Sequence, residues 1–328
     1  MSAAIGAPDS HAQIQGRTSI GFLGPRGTFS EAALRSMEVS QNADLVEYAT
    51  VGQALSAVRA GEITMALVPI ENSSEGTVSV TLDELATGEP LCILDEQAHP
   101  VEFALMSRPG TSLTDIQQIA THPAAEAQSR GWLANNLPGV TVIPATSTAA
   151  AAAGLSEGAS YDAAIAPALA AEYYGLTVVA PSIGDADAAV TRFVLVSRPT
   201  PPPPPSGSDK TTLVLFMRAD HTGALLEILT ELSVRGVNLT RIESRPTKKA
   251  LGDYFFVVDA EGHVADERLG QAMTGLRRVC AAVRYLGSYP RHDGRESSVR
   301  TGTTDGDFVA ADQWLQRVRL TGHSDNVS

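Results

Sequence analysis

Six of the seven residues from 199 to 205 are proline, and no helix or central strand can run through them. Proline has no backbone donor, and consecutive prolines settle into an extended left-handed helix rising about 3.1 Å per residue. The SGSD that follows, and strand-like sequence on both sides, make the run a semi-rigid spacer rather than a docking ligand. It divides a chain of 328 residues into two unequal parts, in line with the roughly two domains that such a length favours.

Composition narrows the partners. With 43% hydrophobic and 19% charged residues the chain can bury a sizeable core. Its 24 Lys+Arg against 37 Asp+Glu leave a formal charge of −13, which offers no general attraction to nucleic acid or anionic lipid. Cys92 and Cys280 are far apart among apolar neighbours and read as buried reduced thiols. The histidines show neither HxxxH nor HExxH spacing, so no metal and no cofactor is expected. Residues 1–16 are small, polar and aperiodic, a disordered arm without the basic start of an export signal, and no apolar run approaches the ~18 residues of a membrane span. A cytoplasmic protein is expected.

Before the spacer the pattern alternates. TSIGFL reads as a strand ending at Gly24-Pro25, and TFSEAALRSM carries Thr28 and Glu31 at capping-box spacing. A strand at Met65–Pro69 ends in polar residues. CILDEQAHPVEFALMSR holds two strand-like runs, and Pro123 suits the first position of a helix behind His122. TVIPATSTAAAAAGL and YDAAIAPALAAEYYG each repeat strand, loop and helix. Such alternation predicts an α/β fold with largely parallel strands. After the spacer the order is strand, helix, strand, strand, a helix near Asp266–Val279 and a strand at Ala282–Tyr289, the ferredoxin-like βαββαβ arrangement. The tail from 290 is mostly disordered in this reading, apart from a helical stretch in FVAADQWLQRVRL.

GPRGTFSEAA at 24–33, VPIENSSEGTV at 68–78, THPAAEAQS at 121–129, ATSTAAA at 145–151 and VTRFVLV at 190–196 resemble, in sequence order, the motifs of prephenate dehydratases. GALLEIL at 223–229 and ESRP at 243–246 resemble the regulatory ACT domain of those enzymes. The resemblance spans residues 18–289. It implies conversion of prephenate to phenylpyruvate, water and carbon dioxide under feedback by phenylalanine, in a two-lobed domain like a type II periplasmic binding protein. The expected organisation is an arm at 1–16, a dehydratase domain at 17–198, a linker at 199–209, an ACT domain at 210–289 and a tail at 290–328.

The reaction asks for a site of a particular kind. Prephenate is a dianion whose aromatisation expels the ring carboxylate once the ring hydroxyl is helped to leave, so neutral donors, helix N-termini and an arginine suit it better than a nucleophile. Gly24–Gly27, Ser73-Ser74-Gly76 and Thr146-Ser147-Thr148 offer turns where backbone N–H groups can approach an anion. The resemblance assigns catalytic positions to Thr191, Asn72, Thr121 and Gln128, with Thr191 acting as a positioned hydrogen-bond donor to the departing hydroxyl. Substrate contacts are expected from Arg192, Phe193, Ser73, Ser147 and Thr148. For Arg192 two roles stand open, a bidentate grip on a substrate carboxylate or a bond to a carboxylate of the protein; Phe193 is open between core and substrate contact.

Effector contacts are expected from Gly223, Ala224, Leu225, Leu226, Asn238, Leu239, Glu243, Ser244 and Arg245, since the family binds phenylalanine between such segments of paired subunits, and a homodimer or homotetramer follows. Regulation then requires the spacer to transmit a rearrangement, or direct contact to bypass it. The rival readings are an arogenate dehydratase and a silent amino-acid sensor. Neither end shows a long helical pattern, so no mutase segment is expected.

Overall fold

The computed structural model describes residues 18–185, 189–218, 221–248 and 253–322; the expected N-terminal arm lies outside the described residues. From Ser19 the chain lays down β1 (Ser19–Leu23), α1 (Phe29–Ser36), β2 (Asp44–Tyr48), α2 (Val51–Ala60), β3 (Met65–Asn72), the short β4 (Gly76–Thr77), α3 (Ser79–Thr87) and β5 (Cys92–Val101). A second lobe follows with β6 (Ala104–Ser107), β7 (Gln118–Thr121), α4 (Pro123–Asn136), β8 (Thr141–Pro144), α5 (Thr148–Ser156), β9 (Ala163–Ala166), α6 (Ala168–Tyr174) and β10 (Thr177–Ala180). Then β11 (Ala189–Ser197) returns to the first lobe.

The lobes are built on separate sheets, ordered β2-β1-β3-β11-β5, with β4 beside β3, and β10-β6-β9-β7-β8. Both are parallel except for β4 and one strand each: β11 runs antiparallel to β3 and β5, and β6 antiparallel to β9 and β10. In each case the reversed strand is the first laid down after the chain crosses from the other lobe. These two crossings, after β5 and after β10, define the two-lobed α/β architecture and bring the ends of β3, β5 and β11 to the cleft.

Local chemistry starts the helices where the sequence indicates. The Thr28 hydroxyl caps α1 by accepting from Glu31 N, but the Glu31 carboxylate reaches one residue farther than a capping box and accepts from Gly27 N at 2.7 Å. His122 is itself the cap of α4, accepting from Ala124 N ahead of Pro123. Ser147 caps α5 through Ala150 N.

Beyond the prolines come β12 (Asp209–Phe216), α7 (Ala224–Ser233), β13 (Leu239–Pro246), β14 (Tyr254–Glu261), α8 (Glu267–Val279) and β15 (Ala282–Pro290), in sheet order β13-β14-β12-β15. The tail carries α9 (Asp305–Thr321), started by a Thr304–Asp307 capping box and lying beside α8. Strand alternation divides the four-stranded sheet between two cores. Leu213, Leu215, Phe256 and Val258 face α7 and α8. Val214, Phe255, Val257, Leu286 and Tyr289 face the other way and share one core with Val58, Leu85, Val194 and Val196 of the first lobe. Direct contact therefore bypasses the spacer.

The two domains approach closely at Gly287, with φ +141, where an added Cβ would stand 2.1 Å from the Ile93 carbonyl oxygen. Gly287→Ala is expected to destabilise the protein by roughly 2–4 kcal/mol, through overpacking and backbone strain together. A urea midpoint equal to that of the parent would show that the contact yields without cost.

Candidate functional site

The lobe-facing ends of β3 and β11 place Asn72 opposite Thr191 in register. Asn72 Oδ1 accepts from the N–H groups of Ser74 and Glu75, both at 2.9 Å, which fixes the orientation of the amide. Its Nδ2 must then face β11, and it donates to Thr191 Oγ1 at 2.8 Å. Thr191 is 9% exposed. Because its oxygen accepts from an amide, its own proton stays available, and among the described residues no acceptor takes it. His99, passed over in the sequence, is the cross-strand neighbour of Thr191 on β5, and burial lowers its pKa.

Ser74 and Ala189, one from each strand end, join Glu102, Phe103, Gln128 and Asp185 around a cavity of about 430 Å³ between the lobes. A second cavity, of about 440 Å³, lies where Gly24, Pro25 and Glu47 face Thr146 and Ser147. The lobes also meet across α1 and α6: Tyr173 donates to Glu31 Oε1 at 2.5 Å, Arg35 bonds to the same phenol, and Arg26 stacks on its ring. The proposed anion-binding turns are partly occupied by the protein itself. Gly27 N is taken by Glu31 and Ser73 N by the Val190 carbonyl.

The structure corrects several site expectations. Thr121 is fully buried and its hydroxyl donates to the Ile165 carbonyl at 2.8 Å, so it braces β7 against β9 rather than facing the cleft. The Ser73 hydroxyl accepts from Val190 N at 2.9 Å and ties the two strand ends together. Phe193, at 2% exposure, packs with Phe22, Leu67 and Leu195 as a core residue. Thr148 opens α5 behind its cap, and the Ser147 oxygen accepts from Ala150 N in that cap while the residue lines the second cavity. Gln128 lines the cleft cavity, and its carbonyl accepts from Asp185 N.

Arg192 takes the second of its two open roles, because its guanidinium is bound by carboxylates of the protein. Nε donates to Glu96 Oε2 and Nη1 to Asp259 Oδ2, both at 2.6 Å, and Nη2 to the Tyr289 hydroxyl at 3.0 Å. Lys210 adds bonds of 2.9 and 3.0 Å to Glu96. Thr212 can give its one proton only to the carboxylate Asp259, at 2.7 Å, so in its 2.6 Å contact with Tyr289 the phenol must donate. A closed ring results, from Arg192 through Tyr289, Thr212 and Asp259 back to Arg192. With Glu71 at 3.7 Å from Arg192 Nη1 and Arg241 at 3.8 Å from Glu71, three cations and three anions balance the charge. Burial alone would raise the pKa of Asp259, but Arg192, with Arg241 and Lys210 farther off, outweighs it and holds the group at about 2. Glu96 is likewise lowered against its burial, by Arg192 and Lys210. Sequence reading missed Glu96, Lys210, Asp259 and Tyr289. One signal for them existed, an acid inside the apolar run FFVVDA, since a charge at such a place demands a buried partner.

On the opposite face of the four-stranded sheet lies a third cavity, of about 310 Å³, at the N-terminus of α7, lined by Gly223, Ala224, Leu225, Leu226 and Ser244 with Met217, Tyr254 and Phe256. Gly223 there has φ +92. The other expected effector residues do not reach it within one chain. Alternation along β13 puts Glu243 and Arg245 on the face away from Ser244, and Arg245 is bound to Asp83 at 3.1 Å and to Ser79 at 2.9 Å, both on α3. Asn238 uses its carbonyl on Glu261 N, and Leu239 packs against the local core.

A two-lobed α/β domain with a polar cleft, joined face to face with a ferredoxin-like domain that carries its own cavity, defines a regulated enzyme of the kind suggested by the motifs. The chain belongs to the prephenate dehydratase family: it matches the model named prephenate dehydratase over residues 20–201 and the ACT domain model over 211–277. A prephenate dehydratase of Amycolatopsis methanolica is 44% identical over 301 residues, covering 92% of this chain and 97% of that one. The crystal structure of a prephenate dehydratase from Arthrobacter aurescens in complex with L-Phe is 48% identical with a TM-score of 0.88, covering 92% of this chain and 100% of the other. GqqA, described as a novel type of quorum-quenching acylase, is 34% identical with a TM-score of 0.74, over 83% of this chain and 97% of its own. Among the described residues, no helix is long and apolar enough to cross a membrane, and no group of three or more His, Cys, Asp or Glu could hold a metal.

The ionic ring sets an acid limit on stability. The folded pKa of Asp259 lies below its ordinary value of 3.8, so its stabilisation is complete above that value and is lost as pH falls through about 2. The urea midpoint should drop steeply between about pH 4 and 2, and less so in Asp259→Asn. A midpoint flat across that interval would contradict the assignment.

Proposed function

We infer that the chain converts prephenate to phenylpyruvate, water and carbon dioxide in the cleft between its lobes, and that phenylalanine restrains it from the cavity beside α7. The observation that carries the catalytic part is the Asn72–Thr191 pair. An amide locked by two backbone donors gives its N–H to the threonine oxygen, so the hydroxyl proton is left for a ligand; Thr191 and Asn72 stand behind the cavity wall, which their neighbours Ala189 and Ser74 line. When the ring carboxylate leaves as carbon dioxide, its bonding electrons enter the ring and expel the hydroxyl at the far carbon. Thr191 donates a hydrogen bond to that departing oxygen, and solvent supplies the proton that completes the water. Gln128 from α4, and the backbone around Ser74, are the neutral groups left to orient the dianion.

The effector reading rests on the chemistry of the third cavity, where apolar Leu225, Leu226 and Phe256 suit an aromatic ring and the first turn of α7 offers N–H groups to a carboxylate. β13 is one of the two edge strands of its sheet, and a homodimer or homotetramer paired there is part of this reading. The buried free thiols Cys92 and Cys280 suit a reducing compartment, the cytoplasm.

One observation favours a second substrate. Glu102 brings a carboxylate to the wall of the cleft cavity, where it would welcome the ammonium group of arogenate. For an acylase the base beside the nucleophile would have to be His99, the cross-strand neighbour of Thr191, whereas the side chain bonded to the Thr191 oxygen is an amide.

Turnover of both acids, with and without phenylalanine, tests the proposal. Prephenate is expected to give phenylpyruvate, with inhibition by phenylalanine, and Thr191→Ala is expected to lower kcat about 10²- to 10⁴-fold in a protein that still folds. Neither acid changing faster than its spontaneous decay, or near-parental turnover by the variant, would overturn the proposal.

A further inference from the structure

The strand end that carries Thr191 is not held by the dehydratase domain alone. Its next residue, Arg192, is clamped on one side by Glu96 of β5 and on the other by Asp259 of β14 and Tyr289 of β15, both from the ACT domain. Asp259 is fully buried, and its second oxygen is taken by Thr212. On the same strand β14, three residues back, Phe256 faces the other way and lines the cavity beside α7. β13 repeats the pattern: Ser244 lines that cavity, while Arg241 and Arg245 reach Thr77 and Asp83 on the catalytic side. Two adjacent strands thus carry effector-facing and catalysis-facing residues in alternation.

We propose that Asp259 is a positioning residue for the dehydration: from the ACT domain it fixes Arg192, and through Arg192 the placement of Thr191 against Asn72, so that occupancy of the cavity beside α7 acts on the cleft along β14. The proposal rests on the function inferred above and assigns the coupling within one chain. A ring of charge-assisted hydrogen bonds suits this task because it has a sharply defined geometry; a small tilt of β14 must either carry Arg192 with it or break a 2.6 Å bond. The apolar contacts around it, Val257 against Val194 and Val196, tolerate sliding far better than an ion pair does.

The test uses the full chain and a double-mutant cycle. Asp259→Asn keeps the volume and removes the charge; it is expected to lower kcat roughly ten- to a hundredfold with KM moved less than about twofold. If Asp259 works through Arg192, the pair Arg192→Gln/Asp259→Asn falls no further than Arg192→Gln alone. Phenylalanine should still bind Asp259→Asn by calorimetry, within about threefold of the parent, yet inhibit it at least about tenfold more weakly. Parental kcat in Asp259→Asn, multiplicative losses in the cycle, or undiminished inhibition would each overturn the proposal. Should Asp259→Asn fail to fold, Tyr289→Phe removes only the hydroxyl of the ring, and a lowered kcat at unchanged KM, or its absence, decides in the same way. A parent that turns over prephenate and binds phenylalanine separates failure here from failure of the underlying function.

Discussion

A buried guanidinium organises this molecule. Arg192 stands one residue from the hydroxyl assigned to catalysis, and all three faces of its planar fork are used inside the protein. Removing one partner from such a cluster leaves a charge in a medium that cannot solvate it, at a cost of about 3–5 kcal/mol. The cluster joins β5 and β11, which flank the crossings between the lobes, to β14 and β15 of the regulatory sheet. The lobe crossings, the strand of Thr191 and the ACT domain therefore share one set of bonds. The apolar core does the same on a larger scale, since Val214, Phe255 and Val257 complete the packing of the first lobe. The ACT sheet is less an appendage on a proline stalk than the second wall of the catalytic domain.

Much of the architecture is written locally. Thr28, Thr50, His122 and Ser147 each sit at a helix start because a side-chain oxygen or nitrogen satisfies a free N–H, and such caps are visible in the sequence. The βαββαβ order after the prolines is equally legible. Side-chain destinations are another matter. The resemblance singles out TRF, and the structure sends its three members to three places: Thr191 to Asn72, Arg192 to the other domain, Phe193 into the core. Alternation along β11 turns Arg192 away from Thr191 and Phe193, and those two differ by their place along one face, Thr191 near the strand end and Phe193 in the core. The same rule separates Ser244 from Glu243 and Arg245 within ESRP. Thr121 was assigned to the cleft from its motif, yet it bonds Ile165 across a parallel pair, a contact between residues 44 apart that no local pattern announces.

The cleft follows from topology. Each sheet accepts one reversed strand where the chain arrives from the other lobe, and polar side chains gather where the end of reversed β11 meets the end of β3. Asn72, Ser73 and Ser74 close one strand end and Val190 and Thr191 the other, tied by bonds of 2.8 to 2.9 Å. What remains there is a hydroxyl proton, a glutamine amide, the Glu102 carboxylate and the backbone. This is a poor kit for attacking an ester or binding a metal, and a good one for easing hydroxide from a ring that gains aromaticity as it leaves.

The most direct measurement is a crystal structure of the protein with an unreactive prephenate analogue in the cleft. The account predicts the ring hydroxyl of the analogue within about 2.6–3.2 Å of Thr191 Oγ1, with Arg192 still bound to Glu96 and Asp259. An analogue whose carboxylate draws Arg192 away from those two acids, or whose hydroxyl lies out of reach of Thr191, would contradict it.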